Sequence, residues 1–331
     1  MNTAIEIEPP SLADIRAAAT RIAGWVRRTP MIRAAPARRP AADGMALWLK
    51  LESLQISGSF KARGASNRVA ALDPSSRARG LVTASGGNHG LGVAYAGWRA
   101  GAPTRVYLAA NTPPRKADQL RAWGAEVVIE GAVWDDANRV AQRDAERTGR
   151  CYIHPFADPL VIAGQGSLGL EILDDLPALD SVLVAIGGGG LISGVALAIK
   201  ALRPQTRVIG IEPVGAPTLH ASVAAGHLVT LETIDTAANT LAPRRSAQIN
   251  LGIISRLVDE ILLVEDEEMR EAARWLWREF GIGAELSAAA PIAALLTGKF
   301  RPEPGTEICA LVCGAGADGA DWTPPPAARY Q

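Results

Sequence analysis

The chain has 331 residues, so one large or two ordinary domains are expected, and its 48% hydrophobic content allows a sizeable core. Lys+Arg and Asp+Glu both number 34, so no whole-chain field favours nucleic acid or an anionic membrane surface. The three cysteines, Cys151, Cys309 and Cys313, form no CxxC pair, which argues against a zinc module or a disulfide framework and fits a reducing cytoplasm. Met1 to Pro10 carries Glu6 and Glu8 and reads as no signal peptide, and no window is apolar enough to cross a membrane.

Ser11 with Asp14 opens a helix through Ile15, Ala18, Ile22 and Val26, which Thr29-Pro30 ends. Leu47 to Glu52 alternates apolar and polar and reads as a strand. Ser57-Gly58-Ser59 then supplies turn and N-cap types, and Ala62 to Leu72 reads as a helix, which puts Lys61 in its first turn. Lysine is poorly suited there, because the positive end of the helix dipole disfavours a cation. The same location lowers the pKa of an amine, which suits a Schiff-base lysine. A lysine at a helix start is ordinarily a solvated surface group, so Lys61 gains weight only from the glycine-bearing turns farther along the chain.

Strands are expected at 80–84, 105–109, 126–129, 152–153, 181–186, 208–212, 260–264 and 307–313. Helices are expected at 91–99, 113–123, 135–147, 161–173, 191–201, 266–280 and 288–296. The alternation implies parallel sheet covered by helices, without saying whether there is one sheet or two. Trp322 to Gln331, with three consecutive prolines, reads as an irregular tail.

Gly187-Gly188-Gly189-Gly190 follows a buried strand and opens a helix at Leu191. Consecutive glycines let several main-chain N–H groups converge on one anion, and the helix adds its dipole. The run matches neither G-x-G-x-x-G nor a P-loop, so a phosphorylated cofactor fits better than NAD or ATP. Gly314 to Gly319 does match G-x-G-x-x-G, but only 12 residues follow it, too few for a dinucleotide-binding unit. Ser85-Gly86-Gly87-Asn88-His89 is a strand-to-helix turn whose N–H groups can hold a carboxylate. By itself, His89 reads as structural rather than as a general base. Cys313, at the end of an apolar strand, reads by default as a buried small hydrophobe.

Together these stretches resemble the fold-type II pyridoxal-phosphate enzymes, within them the serine/threonine dehydratase and serine racemase group. The resemblance runs from about Ile15 to Asp318. Its motifs include Arg28-Thr29-Pro30, Ser57 to Gly64, Ser85 to Gly90, His154 to Pro159, Ile162 to Gly166, Gly187 to Gly194 and Ile211-Glu212-Pro213. It implies two open, twisted, mainly parallel α/β lobes with the cofactor in the cleft between them. Residues 1–61 and 155–331 would form the large cofactor domain, and 62–154 a small mobile one. It implies Lys61 as the Schiff-base lysine and proton carrier at Cα, with Phe60 beside the ring and Asn88 on the cofactor 3′-oxygen. Gly187, Gly188, Gly189, Gly190 and Leu191 would hold the phosphate, and Cys313 would lie against the pyridine nitrogen, with Glu285 retained from the family's glutamate segment. Ser85, Gly86, Gly87, Asn88 and His89 would hold the substrate carboxylate.

The implied activity is β-elimination of L-threonine or L-serine to a 2-oxo acid and ammonia by a cytoplasmic homodimer. Alternatives are another β-substituted substrate such as 3-hydroxyaspartate or phenylserine, a β-replacement synthase, or a non-catalytic cofactor carrier. Three departures stand out. Racemases carry a Ser acid/base where this chain has Gly86. A family glycine against the ring is replaced by Thr240. In the divalent-cation site of some members, Glu212 and Ala216 match but Thr218 replaces an acid, so no metal is expected.

Overall fold

The computed structural model describes residues 8–42, 44–110 and 112–320; the expected tail and most of the first ten residues lie outside them. In chain order the elements are α1 (Leu12–Ile22), β1 (Met31–Arg33), β2 (Ala46–Leu51), α2 (Lys61–Ala70), α3 (Pro74–Arg79), β3 (Leu81–Ala84), α4 (Asn88–Ala100), β4 (Thr104–Leu108), α5 (Pro114–Ala122), β5 (Glu126–Ile129) and α6 (Trp134–Thr148). They continue with β6 (Cys151–Tyr152), α7 (Pro159–Asp175), β7 (Ser181–Ala185), α8 (Gly190–Leu202), β8 (Arg207–Pro213), α9 (Thr218–Ala225), α10 (Gln248–Leu257), β9 (Glu260–Val264), α11 (Asp266–Phe280), α12 (Leu286–Leu296) and β10 (Glu307–Val312).

Two sheets result. One has six strands in the order β1-β2-β10-β7-β8-β9, parallel except for the β1–β2 pair; the other has four parallel strands, β5-β4-β3-β6. In the large sheet β7 is buried along its whole length. Such a strand must be apolar on both faces, and Val182-Leu183-Val184 is. In the small sheet the faces separate by alternation. Val82, Ala84 and Tyr107 pack on Ala137 and Ala141 of α6, whereas Val106 and Leu108 pack on α4 and α5.

The α1 helix starts on the expected capping box, with Asp14 N–H donating to Ser11 Oγ at 3.2 Å and Ser11 N–H to Asp14 Oδ2 at 2.8 Å. It stops at Ile22 rather than Val26, because Gly24 turns the chain with φ +75°.

The α2 helix packs on both α4 and α7. The approach is close enough to require glycine. A Cβ on Gly164 of α7 would come 2.7 Å from Gly64 Cα, and one on Gly92 of α4 would come 3.0 Å from the Lys61 carbonyl oxygen. Lys61 is thus fixed by glycine-lined contacts on two sides, at the junction of the helices that serve the two sheets.

Candidate active site

Lys61 is the first residue of α2, as its sequence setting implies, although the residue preceding it, Phe60, has helical dihedrals and no side-chain cap. The antiparallel bridge Ser59↔Gly314 brings the lysine turn to the end of β10. Phe60 N–H donates to Cys313 O at 3.2 Å, and Ala315 N–H to Gly58 O at 2.8 Å. Two segments some 250 residues apart are thereby laced together, and Cys313 faces the lysine. The Lys61 ammonium donates to Pro155 O at 2.7 Å and lies 5.0 Å from the Phe60 ring centre. Burial lowers its pKa to about 8, against the opposing pull of Cys313 and Glu285. The Cys313 thiol is pushed far up by burial and then by Glu285, so it is neutral.

The glycine bend lies across from it. Gly189 has φ +90°, and a Cβ there would meet Leu219 Cδ1 at 2.8 Å. A Cβ on Gly188 would fall into the Phe156 ring, and one on Gly190 would come 2.9 Å from Phe156 Cα. Among the described residues, the main-chain N–H groups of Gly187, Gly188 and Gly189 find no protein acceptor. Those of Gly190 and Leu191 are in the first turn of α8, where no intrahelical partner exists. The bend is fastened from behind: Gly188 O accepts from Asn250 Nδ2 at 2.6 Å and Ser246 Oγ at 3.0 Å, and Asn250 also reaches Phe156 O at 3.2 Å. With the carbonyl held outward, the N–H groups are left for an anion.

Asn88 begins α4 and donates through Nδ2 to Glu285 Oε1 at 2.8 Å; the same oxygen accepts from Ser287 Oγ at 2.6 Å. Burial raises the Glu285 pKa, partly offset by these two donors. Ser85 Oγ accepts from Gly87 N–H at 3.2 Å and shapes the turn. The His89 side chain turns away from this cleft. Its Nε2 lies 3.0 Å from both Thr83 Oγ1 and Ile153 O, and burial lowers its pKa to about 3. Only its main-chain N–H remains for a carboxylate. The Thr240 side chain is exposed, and it is its carbonyl oxygen that approaches the bend, 2.7 Å from where a Gly187 Cβ would lie.

Glu212 is fully committed within the fold. It accepts from Leu219 N–H at 2.9 Å and His220 N–H at 2.7 Å, at the start of α9, while Thr218 Oγ1 donates to Pro243 O at 2.7 Å. Burial raises its pKa to about 8 despite the two donors. Among the described residues no group of three or more His, Cys, Asp or Glu side chains could hold a metal.

The description "Pyridoxal-phosphate dependent enzyme" matches residues 22–314. The chain belongs to this family of pyridoxal-phosphate dependent enzymes. An L-threonine ammonia-lyase of Geobacter sulfurreducens is 39% identical over 300 residues, covering 91% of this chain and 74% of that one. A phenylserine dehydratase of Ralstonia pickettii is 37% identical over 314 residues, covering 94% of each. Among solved structures, maize serine racemase superposes with a TM-score of 0.89 at 34% identity, covering 93% of this chain and 94% of that one. The features above fit pyridoxal phosphate: an amine of lowered pKa for its aldehyde, a bend of free N–H groups packed too closely for any Cβ, and a neutral thiol near the amine.

The sequence reading missed Asn250 and Ser246, which hold the bend, and Lys116 of α5. The Lys116 stem passes close to Gly86: a Cβ on Gly86 would lie 3.7 Å from Lys116 Cδ and 2.7 Å from Thr112 Cγ2. The sequence signal for Lys116 was faint: a lysine in the first turn of a helix that has no acid there.

Proposed function

We propose that this enzyme eliminates water from a β-hydroxy amino acid, with L-threonine and L-serine as first substrates, releasing a 2-oxo acid and ammonia. Bound pyridoxal phosphate supplies the sink for the electron pair left when Cα loses its proton. The free N–H groups of Gly187 to Leu191 hold the phosphate. The turn at Ser85 to Asn88, with the dipole of α4, orients the carboxylate. The Lys61 amine, with a pKa of about 8, takes the Cα proton near neutral pH. The proton held by Lys61 is passed to the departing hydroxyl, which leaves Cβ as water; the enamino acid formed then takes up one water and yields the 2-oxo acid and ammonia. The neutral Cys313 thiol would be the residue set against the pyridine nitrogen, where a carboxylate would otherwise keep that nitrogen protonated. With a thiol there in place of a carboxylate, the cofactor would be a weaker electron sink, which would favour loss of the β-group over reprotonation.

The observation that carries this reading over racemisation is Gly86. Racemases of the group place a serine there, and here a Cβ would press to 2.7 Å on Thr112 Cγ2. Division into a large domain (1–61 and 155–331) and a small mobile one (62–154) accords with the separate sheets. The cysteine usage and the prevalence of two-fold dimers support a cytoplasmic homodimer.

One observation favours a bulkier substrate. Trp134 Nε1 donates to Ala84 O at 2.8 Å, just before the Ser85 turn, and 45% of the residue is exposed. An aromatic rim of this kind suits an apolar β-substituent such as that of phenylserine.

The test is a screen of threonine, serine, 3-hydroxyaspartate and phenylserine for 2-oxo acid release. Lys61→Ala should lose both turnover and the visible absorption of the lysine-bound cofactor. Retention of that absorption in Lys61→Ala would overturn the assignment. Capture of an added thiol at Cβ with no 2-oxo acid would point instead to β-replacement, and a bound cofactor without any turnover to a carrier.

A further inference from the structure

We infer that Lys116 supplies the positive charge of the substrate-carboxylate site, a role that rests on the Ser85–Asn88 turn being that site. Three observations lead there. The residue is half-buried in the first turn of α5, where the helix dipole opposes a cation and no acidic residue offsets it. Its ammonium makes no hydrogen bond or ion pair among the described residues, unlike the buried Lys50, which has three oxygen partners. Its stem runs beside Gly86, and its charge acts on Glu285, the carboxylate that holds Asn88. The ammonium is therefore directed into the cleft beside Gly86 and Asn88, toward the place where the turn leaves N–H groups free.

A lysine placed against a helix dipole and left unpaired lacks an anion. Glu285 acts on it only through its charge: no hydrogen bond or ion pair joins the two among the described residues, and the Glu285 carboxylate is held by Asn88 and Ser287 at Oε1. The turn supplies only dipoles for the substrate carboxylate, and a cation beside it adds a charge-assisted bond of about twice the strength of a neutral one. The Lys116 stem lies at contact distance from Gly86, 3.7 Å from where a Cβ would stand, so it lines the same side of the turn. Lys116 binds and orients; the proton at Cα remains with Lys61.

The test compares Lys116→Met and Lys116→Arg with the wild-type holoenzyme. Lys116→Met should raise KM for the best substrate about tenfold or more while kcat stays within about threefold, and Lys116→Arg should recover most of the loss. Propionate, which has a carboxylate but no amine or leaving group, should protect the wild type in thermal unfolding and fail to protect Lys116→Met. An unchanged KM with undiminished propionate protection would overturn the inference, as would a fall in kcat alone. The propionate arm does not need turnover. Failure of every β-hydroxy substrate in the wild type would therefore count against the proposed reaction, and loss of protection in Lys116→Met would still support the carboxylate site.

Discussion

Arg63 offers the sharpest test of how the fold holds Lys61. It lies two residues beyond the lysine on α2 and is completely buried. Its guanidinium donates to Glu52 through Nε and Nη2, both at 2.8 Å, and to Glu171 at 2.6 and 3.0 Å. Replacing it with methionine keeps much of the volume and strands the two carboxylates. They are not stranded equally. Glu171 keeps Lys50 Nζ at 3.0 Å, and it is partly exposed. Glu52 is wholly buried and, among the described residues, keeps the Thr29 hydroxyl at 2.6 Å and no cation. One buried charge, not two, is then left without a counter-ion, which costs about 3–5 kcal/mol. That is a large share of the ~5–15 kcal/mol by which a domain is ordinarily stable. Urea unfolding followed by tryptophan fluorescence measures it. Arg63→Met should lose about 3–5 kcal/mol, and adding Glu52→Gln should restore more than about 1 kcal/mol by removing the stranded charge. Arg63→Lys should recover only part, since one ammonium cannot bridge both carboxylates in a fork. If Arg63→Met stays within about 1 kcal/mol of wild type, or Glu52→Gln brings no recovery, the network is not what anchors α2.

Asn250→Ala should weaken pyridoxal-phosphate binding about tenfold, because the Gly188 carbonyl keeps only Ser246 and the bend loosens. Fluorescence titration of the cofactor-free protein reads this, and unchanged affinity would remove Asn250 from the cradle. The pH dependence of stability follows from two histidines held neutral. Burial lowers His89 to about 3 and His154 to about 4, and the His154 Nδ1 accepts from the N–H groups of Phe156 and Ala157. Both folded values lie below the unfolded value near 6.5, so their contribution is present above about pH 6.5 and is lost as pH falls through about 4 and 3. In that window each costs about 1.4 kcal/mol per pH unit. His154→Gln, whose side-chain oxygen can still accept, should flatten the fall in stability between pH 6.5 and 4.5. An unaltered slope would mean that His154 is protonated in the fold.

The parts of the site legible in the sequence are those written locally. The Lys61 turn between β2 and α2, the glycine bend and the Ser85 turn are each short local segments, and each follows from turn chemistry and helix ends. The parts that were not legible depend on distant partners. Asn250 and Ser246 reach Gly188 from some sixty residues away, and a polar residue on a helix such as α10 gives no sign that it will be buried. The side chain of His89 is aimed by Thr83 and Ile153, and nothing in Asn88-His89-Gly90 shows which way it will turn. Element by element the same rule holds. Helices α9 and α10 have no side-chain cap, so no start signal marks them in the sequence. Helix α3 does carry a readable start, Asp73 accepting from Ser76 N–H with Pro74 behind it, but at six residues it is too short for periodicity to reveal. The same division explains why both of these lysines matter. A cation at the positive end of a helix is disfavoured locally, and at Lys61 and Lys116 the local sequence supplies no acid to compensate. Such a conflict persists when something beyond the local segment resolves it, a part we propose for the cofactor aldehyde at Lys61 and for the substrate anion at Lys116.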